Sequence, residues 1–183
     1  MVTVQDSALT DFRFIDKWIQ DNAIFKTEHY GYDTFEIARV PDDISEIIIS
    51  DIYNDTVDVK YSFLRLSTNE IDADIRIHAD TSMDSEYASV LYFNNPPSED
   101  DCGTAFWEHS VYGDECAVGV NGLEDCDNLD MWNLKNVINM KKNRLITYPT
   151  KLFHSRYPFK GWGKDKADGR VVWVSFFNEK KEL

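Results

Sequence analysis

From Val57 onward the chain is written in alternating hydrophobic and polar residues. Val57 to Ser67 (VDVKYSFLRLS) alternates in the two-residue period of a half-buried strand, and Ile71 to Asp80 continues it. Within that second run Ile75 and Ile77 alternate with Arg76 and His78. Ala88 to Phe93 is a largely apolar strand stopped by Asn94, Asn95, Pro96 and Pro97, and Cys102 to Ser110 (CGTAFWEHS) follows a Pro/Asp-rich loop. Residues 111–130 are polar, acidic and weakly periodic, which predicts a long surface loop. Trp132 to Met140 fits either a strand or a short helix. Arg144 to Tyr148 (RLITY) predicts a strand ended by Pro149. Phe153 to Tyr157 predicts a short strand, and Arg170 to Asn178 (RVVWVSFFN) a long final one after a Gly/Lys/Asp loop at Lys160 to Gly169.

The first 56 residues are patterned differently. In residues 11–22 (DFRFIDKWIQDN), Phe12, Ile15, Trp18 and Ile19 recur at helical spacing and predict an amphipathic helix. Residues 23–40 are aromatic-rich and predict one or two short strands. Pro41, at a favoured first helical position, then opens a helix over about Asp42 to Asn54, with Asp42 and Asp43 suited to its first turn and Ile44, Ile47, Ile48 and Ile52 or Tyr53 to burial. The expected organisation is one domain over residues 1–183, mainly β with N-terminal helices (α+β). Residues 1–56 serve as helical support and residues 57–183 as a sandwich or jelly-roll core.

Composition narrows the function classes. An aromatic content of 14% suits a well-filled core, and no apolar run approaches the length of a membrane-spanning helix. The N-terminus lacks the basic and apolar segments of a secretion signal. Three cysteines, Cys102, Cys116 and Cys126, are an odd number in a chain too long to need staples. They read as reduced thiols, and the expected location is cytoplasmic. The formal charge of −14 is unevenly spread: residues 1–130 carry −22 and residues 131–183 carry +8. An acidic chain does not attract phosphate backbones, which disfavours general nucleic-acid binding. The basic C-terminal part is expected to interleave with the acidic part, or else to form a local anion-attracting patch.

The chemistry concentrates in few residues. Four histidines are present, His29, His78, His109 and His154. His78 and Asp80 are two apart, so a strand running through both puts imidazole and carboxylate on one face. His154 lies between two predicted strands. Two imidazoles, one carboxylate and open positions suit non-haem Fe(II) and oxygen chemistry, and a nearby arginine suits bidentate grip of a ligand carboxylate. His109 is placed beside the pocket rather than on a metal. A zinc site from Cys102, His109, Cys116 and Cys126 lacks paired ligand spacing, and Trp107, Trp132, Trp162 and Trp173 suit core or pocket wall better than base stacking.

In the order IHAD, SVLYFNN, CGTAFWEHS, NRLITYPTKLFHS and GRVVWVSFF, the segments between about Phe63 and Asn178 resemble the Fe(II)- and 2-oxoglutarate-dependent oxygenases, on the prolyl-4-hydroxylase-like side of that superfamily. The resemblance implies a double-stranded β-helix, a jelly roll of cupin-like type. It implies iron ligands His78, Asp80 and His154, with Arg170 pairing with the distal carboxylate of 2-oxoglutarate and Tyr92 placing its hydroxyl on the same carboxylate. Other roles for these two are a salt bridge of Arg170 to the acidic half and an ordinary core position for Tyr92. The sixteen-residue gap from His154 to Arg170 is longer than usual, making Lys160 to Gly169 an insertion, and Val172 stands where some relatives carry a hydroxyl.

The activity implied is hydroxylation of a C–H bond in a protein or peptide side chain or a small molecule, using Fe(II), 2-oxoglutarate and O2, with ascorbate as an optional reductant. The loops Pro96 to Asp101, Val111 to Asp130 and Lys160 to Gly169 are the expected lid and substrate rim. Two other classes remain open. One is a non-catalytic jelly-roll binding or structural module, and the other is a cupin-like metal enzyme that uses no 2-oxoglutarate. Oligomeric state is not legible.

Overall fold

A computed structural model describes residues 1–30, 33–70, 77–98, 102–117 and 123–180. Most of the strand expected over Ile71 to Asp80, including Ile75 and Arg76, lies outside the described residues. So do residues 99–101 and 118–122 of the expected rim loops. In chain order the described elements are β1 (Thr3–Asp6), α1 (Phe12–Asn22), β2 (Lys26–Tyr30), β3 (Asp33–Ala38), α2 (Asp42–Tyr53), β4 (Val57–Ser67), β5 (Tyr87–Tyr92), β6 (Gly103–His109), β7 (Trp132–Asn139), β8 (Arg144–Pro149), β9 (His154–Tyr157) and β10 (Arg170–Glu179).

All the strand pairs among the described residues are antiparallel. Seven strands form one sheet in the order β1-β8-β5-β10-β4-β3-β2, and three form another in the order β7-β6-β9. The chain is thus mostly β, with an architecture consistent with a jelly roll. The N-terminal stretch does more than supply helical support, because β1, β2 and β3 all join the large sheet.

Alternation along the central strands sorts side chains onto two faces. Leu64, Leu66, Leu91, Val171 and Trp173 form one core with Ile15 and Ile19 of α1 and Ile44 and Ile48 of α2. The residues between them, Val90, Tyr92, Ile146, Tyr148, Val172 and Phe176, turn to the other face and pack with Cys102 and Phe106 beneath the small sheet. A third core backs the small sheet's outer face with Ala105, Trp107, Trp132, Phe153, Ile77 and Cys116. The loop expected to be a lid at 111–130 contributes Cys116 and Leu123 to this outer core.

Both helices form where their patterns place them. Pro41 caps α2 rather than occupying its first turn, with Asp42 and Asp43 inside, and Asn54 ends it in the left-handed conformation. Ile44, Ile48 and Tyr53 are buried, whereas Ile47 is exposed. α1 has no basic residue in its own last turn. Its end is served from afar, where Lys166 donates from Nζ to the carbonyls of Ala23 (2.9 Å) and Ile19 (3.2 Å). Lys166 belongs to the inserted loop, whose Gly163 carbonyl also accepts from Asn69 N (3.0 Å). A Cβ at Gly161 would sit 2.1 Å from the Thr68 carbonyl oxygen, so glycine is required there. The loop expected as a lid at Lys160 to Gly169 is therefore docked on α1 and the end of β4.

The uneven charge resolves as interleaving. Asp6 meets Arg144 (2.6 Å) and Lys141 (2.9 Å), Lys142 meets Asp16 (2.7 Å), and Lys151 meets Glu115 (2.8 Å). Each pair joins the acidic and basic parts of the chain.

Candidate metal and co-substrate site

His78 and His154 face each other as a backbone pair. His78 N donates to the His154 carbonyl (3.0 Å) and His154 N donates back to the His78 carbonyl (2.8 Å). Residues paired this way point their side chains to the same side, and the two rings lie 4.4 Å apart between centroids. Asp80 follows two residues later, its N–H held by the Thr150 carbonyl (2.8 Å). Period two returns its carboxylate to the imidazole side.

One possible ligand atom from each of His78, Asp80 and His154 falls within 4.8 Å of the others. Asp80 Oδ2 lies 3.3 Å from His154 Nε2, and Oδ1 lies 3.7 Å from His78 Nε2. His154 is buried and its Nδ1 is 2.9 Å from the Leu152 carbonyl. A carbonyl only accepts, so Nδ1 carries a proton, and Nε2, facing Asp80, donates to the carboxylate when it is protonated too and offers a lone pair to a metal when it is not. Burial alone would raise the Asp80 carboxyl. The charges of His154, His78 and Arg65 and a hydrogen bond from His154 outweigh it and hold the group below the usual carboxylate range.

Arg170 and Tyr92 also come together. Arg170 is buried at the start of β10, its guanidinium carbon 5.4 Å from the Tyr92 ring centroid. The fully buried Tyr92 hydroxyl lies 2.7 Å from Thr104 Oγ1 on the small sheet. Burial raises the Tyr92 phenol despite the charge of Arg170 and hydrogen bonds to Thr104 and Arg170. Five residues named from the sequence thus form two groups facing the space between the sheets: His78, Asp80 and His154 in one, Arg170 and Tyr92 in the other.

Two residues join them that were not singled out. Thr104 supplies a hydroxyl beside Tyr92, in place of the one Val172 lacks, and the Gly-Thr pair opening β6 was its only signal. Tyr148, on β8, packs its ring 4.7 Å from His154 and 5.3 Å from Phe106. Burial pushes its phenol well above the usual tyrosine range, with Asp80 and Tyr92 adding to the shift and Arg170 and Arg65 opposing it.

His109 is elsewhere. It points to the outer face of the small sheet, where Nδ1 accepts from Val111 N (3.1 Å) and Tyr112 N (3.2 Å) and Nε2 donates to Asp125 (3.1 Å). Trp132 lies edge-on to the ring and donates to the Asp125 carbonyl (3.0 Å). His109 therefore anchors the 111–130 loop and does not flank the pocket. His29 is exposed, 3.2 Å from Thr34.

Compared with family models and with curated proteins, the chain matches none. Its fold matches solved structures. One is SnoN, a non-haem α-ketoglutarate-dependent epimerase from nogalamycin biosynthesis, at 11% identity and TM-score 0.56, covering 96% of this chain and 76% of that one. Another is a Pseudomonas putida prolyl-4-hydroxylase, at 12% identity and TM-score 0.51, covering 98% of this chain and 93% of that one. At these identities the likeness is one of fold. No described helix is long and apolar enough to cross a membrane.

Proposed function

We propose that this protein is a non-haem Fe(II)- and 2-oxoglutarate-dependent oxygenase that hydroxylates a C–H bond. The observation that carries the reading is the convergence of two imidazoles and one carboxylate inside a jelly roll, with a buried arginine–tyrosine pair facing the same interior. The donor set fits ferrous iron, since two nitrogens and one carboxylate oxygen leave coordination positions open. When bound, the iron supplies with 2-oxoglutarate and O2 the oxidising power to hydroxylate a C–H bond, with succinate and CO2 as the other products.

The chain's own residues do the rest. The reciprocal backbone bonds between His78 and His154 fix both imidazoles without a metal, and the Leu152 carbonyl sets the His154 tautomer. Arg170 and Tyr92 are assigned the far carboxylate, with the Thr104 hydroxyl orienting the phenol. Burial of this pair excludes water and strengthens its attraction for an anion. The substrate is assigned to a protein or peptide side chain, with a small molecule as the second reading, favoured by the fold shared with SnoN. O2 and cytoplasmic location belong to this proposal.

The test is an anaerobic titration of metal-free protein with Fe(II) and then 2-oxoglutarate, watching for the visible charge-transfer absorption of the chelate. The band is expected for the wild type, lost in Asp80→Ala and weakened in Arg170→Ala. Iron binding without the band removes 2-oxoglutarate and favours a cupin-like enzyme. No binding of either leaves a non-catalytic jelly-roll module.

A further inference from the structure

Tyr148 is only 2% exposed, and no hydrogen bond joins its side chain to another described residue. The other two tyrosines in the described cores with raised phenols are bonded. Tyr53 is 2.7 Å from Ser175 and Tyr92 is 2.7 Å from Thr104. Its oxygen keeps some accessible surface, so it opens onto space that a water or ligand can occupy, and a phenylalanine would fill the same volume with nothing to donate there. The hydroxyl therefore needs an explanation other than packing.

Its surroundings supply one. Tyr148 pairs across the sheet with Ala88, so its ring enters the space under the small sheet, against His154 and Phe106. Asp80 of the triad, Tyr92, Arg170 and Arg65 are all close enough to act on it electrostatically. The ring thus lies beside the triad and within electrostatic reach of Arg170. If a five-carbon 2-oxo diacid chelates a metal through its keto oxygen and one oxygen of the adjoining carboxylate, the second oxygen of that carboxylate still needs a donor. Phe106, Ile146 and Val90 of this core provide none.

We propose that Tyr148 is a binding residue for the metal-end carboxylate of a 2-oxo acid, donating its phenolic proton to the oxygen that the metal leaves free. This rests on the function proposed above. It assigns the two ends of the ligand to different sheet positions, with Arg170 and Tyr92 at one end and Tyr148 beside His154 at the other.

The experiment uses the full chain loaded with redox-silent Mn(II), with calorimetry for affinity and thermal unfolding of the metal-free protein. Tyr148→Phe is expected to raise the Kd for 2-oxoglutarate ~10-fold or more, the loss of one hydrogen bond to a charged group. It should leave the Mn(II) Kd within about twofold and the metal-free Tm unchanged or higher, because no protein partner is stranded. A purely structural role would instead lower Tm. A 2-oxoglutarate Kd within about twofold of wild type overturns the assignment and leaves the proposed function standing. A shifted Mn(II) Kd also overturns it, placing Tyr148 as packing for His154. A wild type that binds Mn(II) but not 2-oxoglutarate removes the proposed function and this inference with it.

Discussion

Removing the ammonium of Lys166 tests whether an inserted loop supplies the missing end of a distant helix. Lys166→Met keeps the aliphatic stem and deletes only the charge and its donors. In the native structure these donors serve the carbonyls of Ala23 and Ile19 at the end of α1. The Ile19 carbonyl keeps a second donor, Ala23 N (3.1 Å), so the main loss falls on Ala23. One part-buried hydrogen bond from a charged donor is worth about 1.5–3 kcal/mol, and the helix dipole adds about 0.3–1 kcal/mol. Freed lysine rotamers return up to about 2 kcal/mol. A net loss of about 2 kcal/mol remains, which for a chain of this size lowers Tm by roughly 4–8 °C. Differential scanning calorimetry measures it, with Lys17→Met as the control. Lys17 pairs with Asp21 on the exposed side of the same helix, and its loss should cost less than about 0.5 kcal/mol. Equal, small shifts for the two variants would refute the capping role.

Gly103→Ala should not yield folded protein, because the new Cβ would lie 2.0 Å from the Ile138 carbonyl oxygen in a paired strand; soluble yield and circular dichroism report it. His109→Ala should cost about 2–3 kcal/mol in urea unfolding through its stranded partners, while Mn(II) affinity stays within about twofold; lost metal binding would return His109 to the pocket. Among the described residues, Tyr53, Tyr92 and Tyr148 have raised phenols, so the fold favours their neutral forms. Their stabilising effect is complete below the unfolded value of about 10 and is lost as pH rises beyond it. Absorbance at a tyrosinate wavelength should show these three ionising only together with alkaline unfolding, and early titration of every tyrosine would contradict it.

The long strands were legible in two ways: burial on one face imposes a two-residue period along β4, and burial on both faces makes β10 a nearly continuous apolar run. β1 was not: Thr3 to Asp6 is short, polar and exposed at every position, so no pattern marks it, and only its pairing with β8 makes it a strand. β7 was ambiguous because its register against β6 slips between Phe106 and Trp107, which interrupts alternation at Lys135. In the site, the local pair His78–Asp80 and the aligned segments indicated five residues. Thr104 left only the faint signal of its Gly-Thr pair and Tyr148 none, because a hydroxyl gains meaning only from what the opposite sheet places beside it. His109 was misplaced for a related reason. Two residues beyond Trp107, it shares that residue's outward face, and the sequence alone does not say which face of β6 is outward.

The antiparallel pairing of residues 3–6 with residues 144–147 has a consequence for assembly. The polar ribbon is synthesised well before the strand it pairs with. Until it docks, the outer rim of β8 presents unpaired N–H and C=O groups, a template on which another copy can add a strand. Deleting residues 1–6 would leave that rim open permanently, and the cost would appear as concentration-dependent self-association more than as a lower melting temperature. The ion pairs of Asp6 with Lys141 and Arg144 act as the latch of this closure, so the guard against aggregation loosens with rising salt.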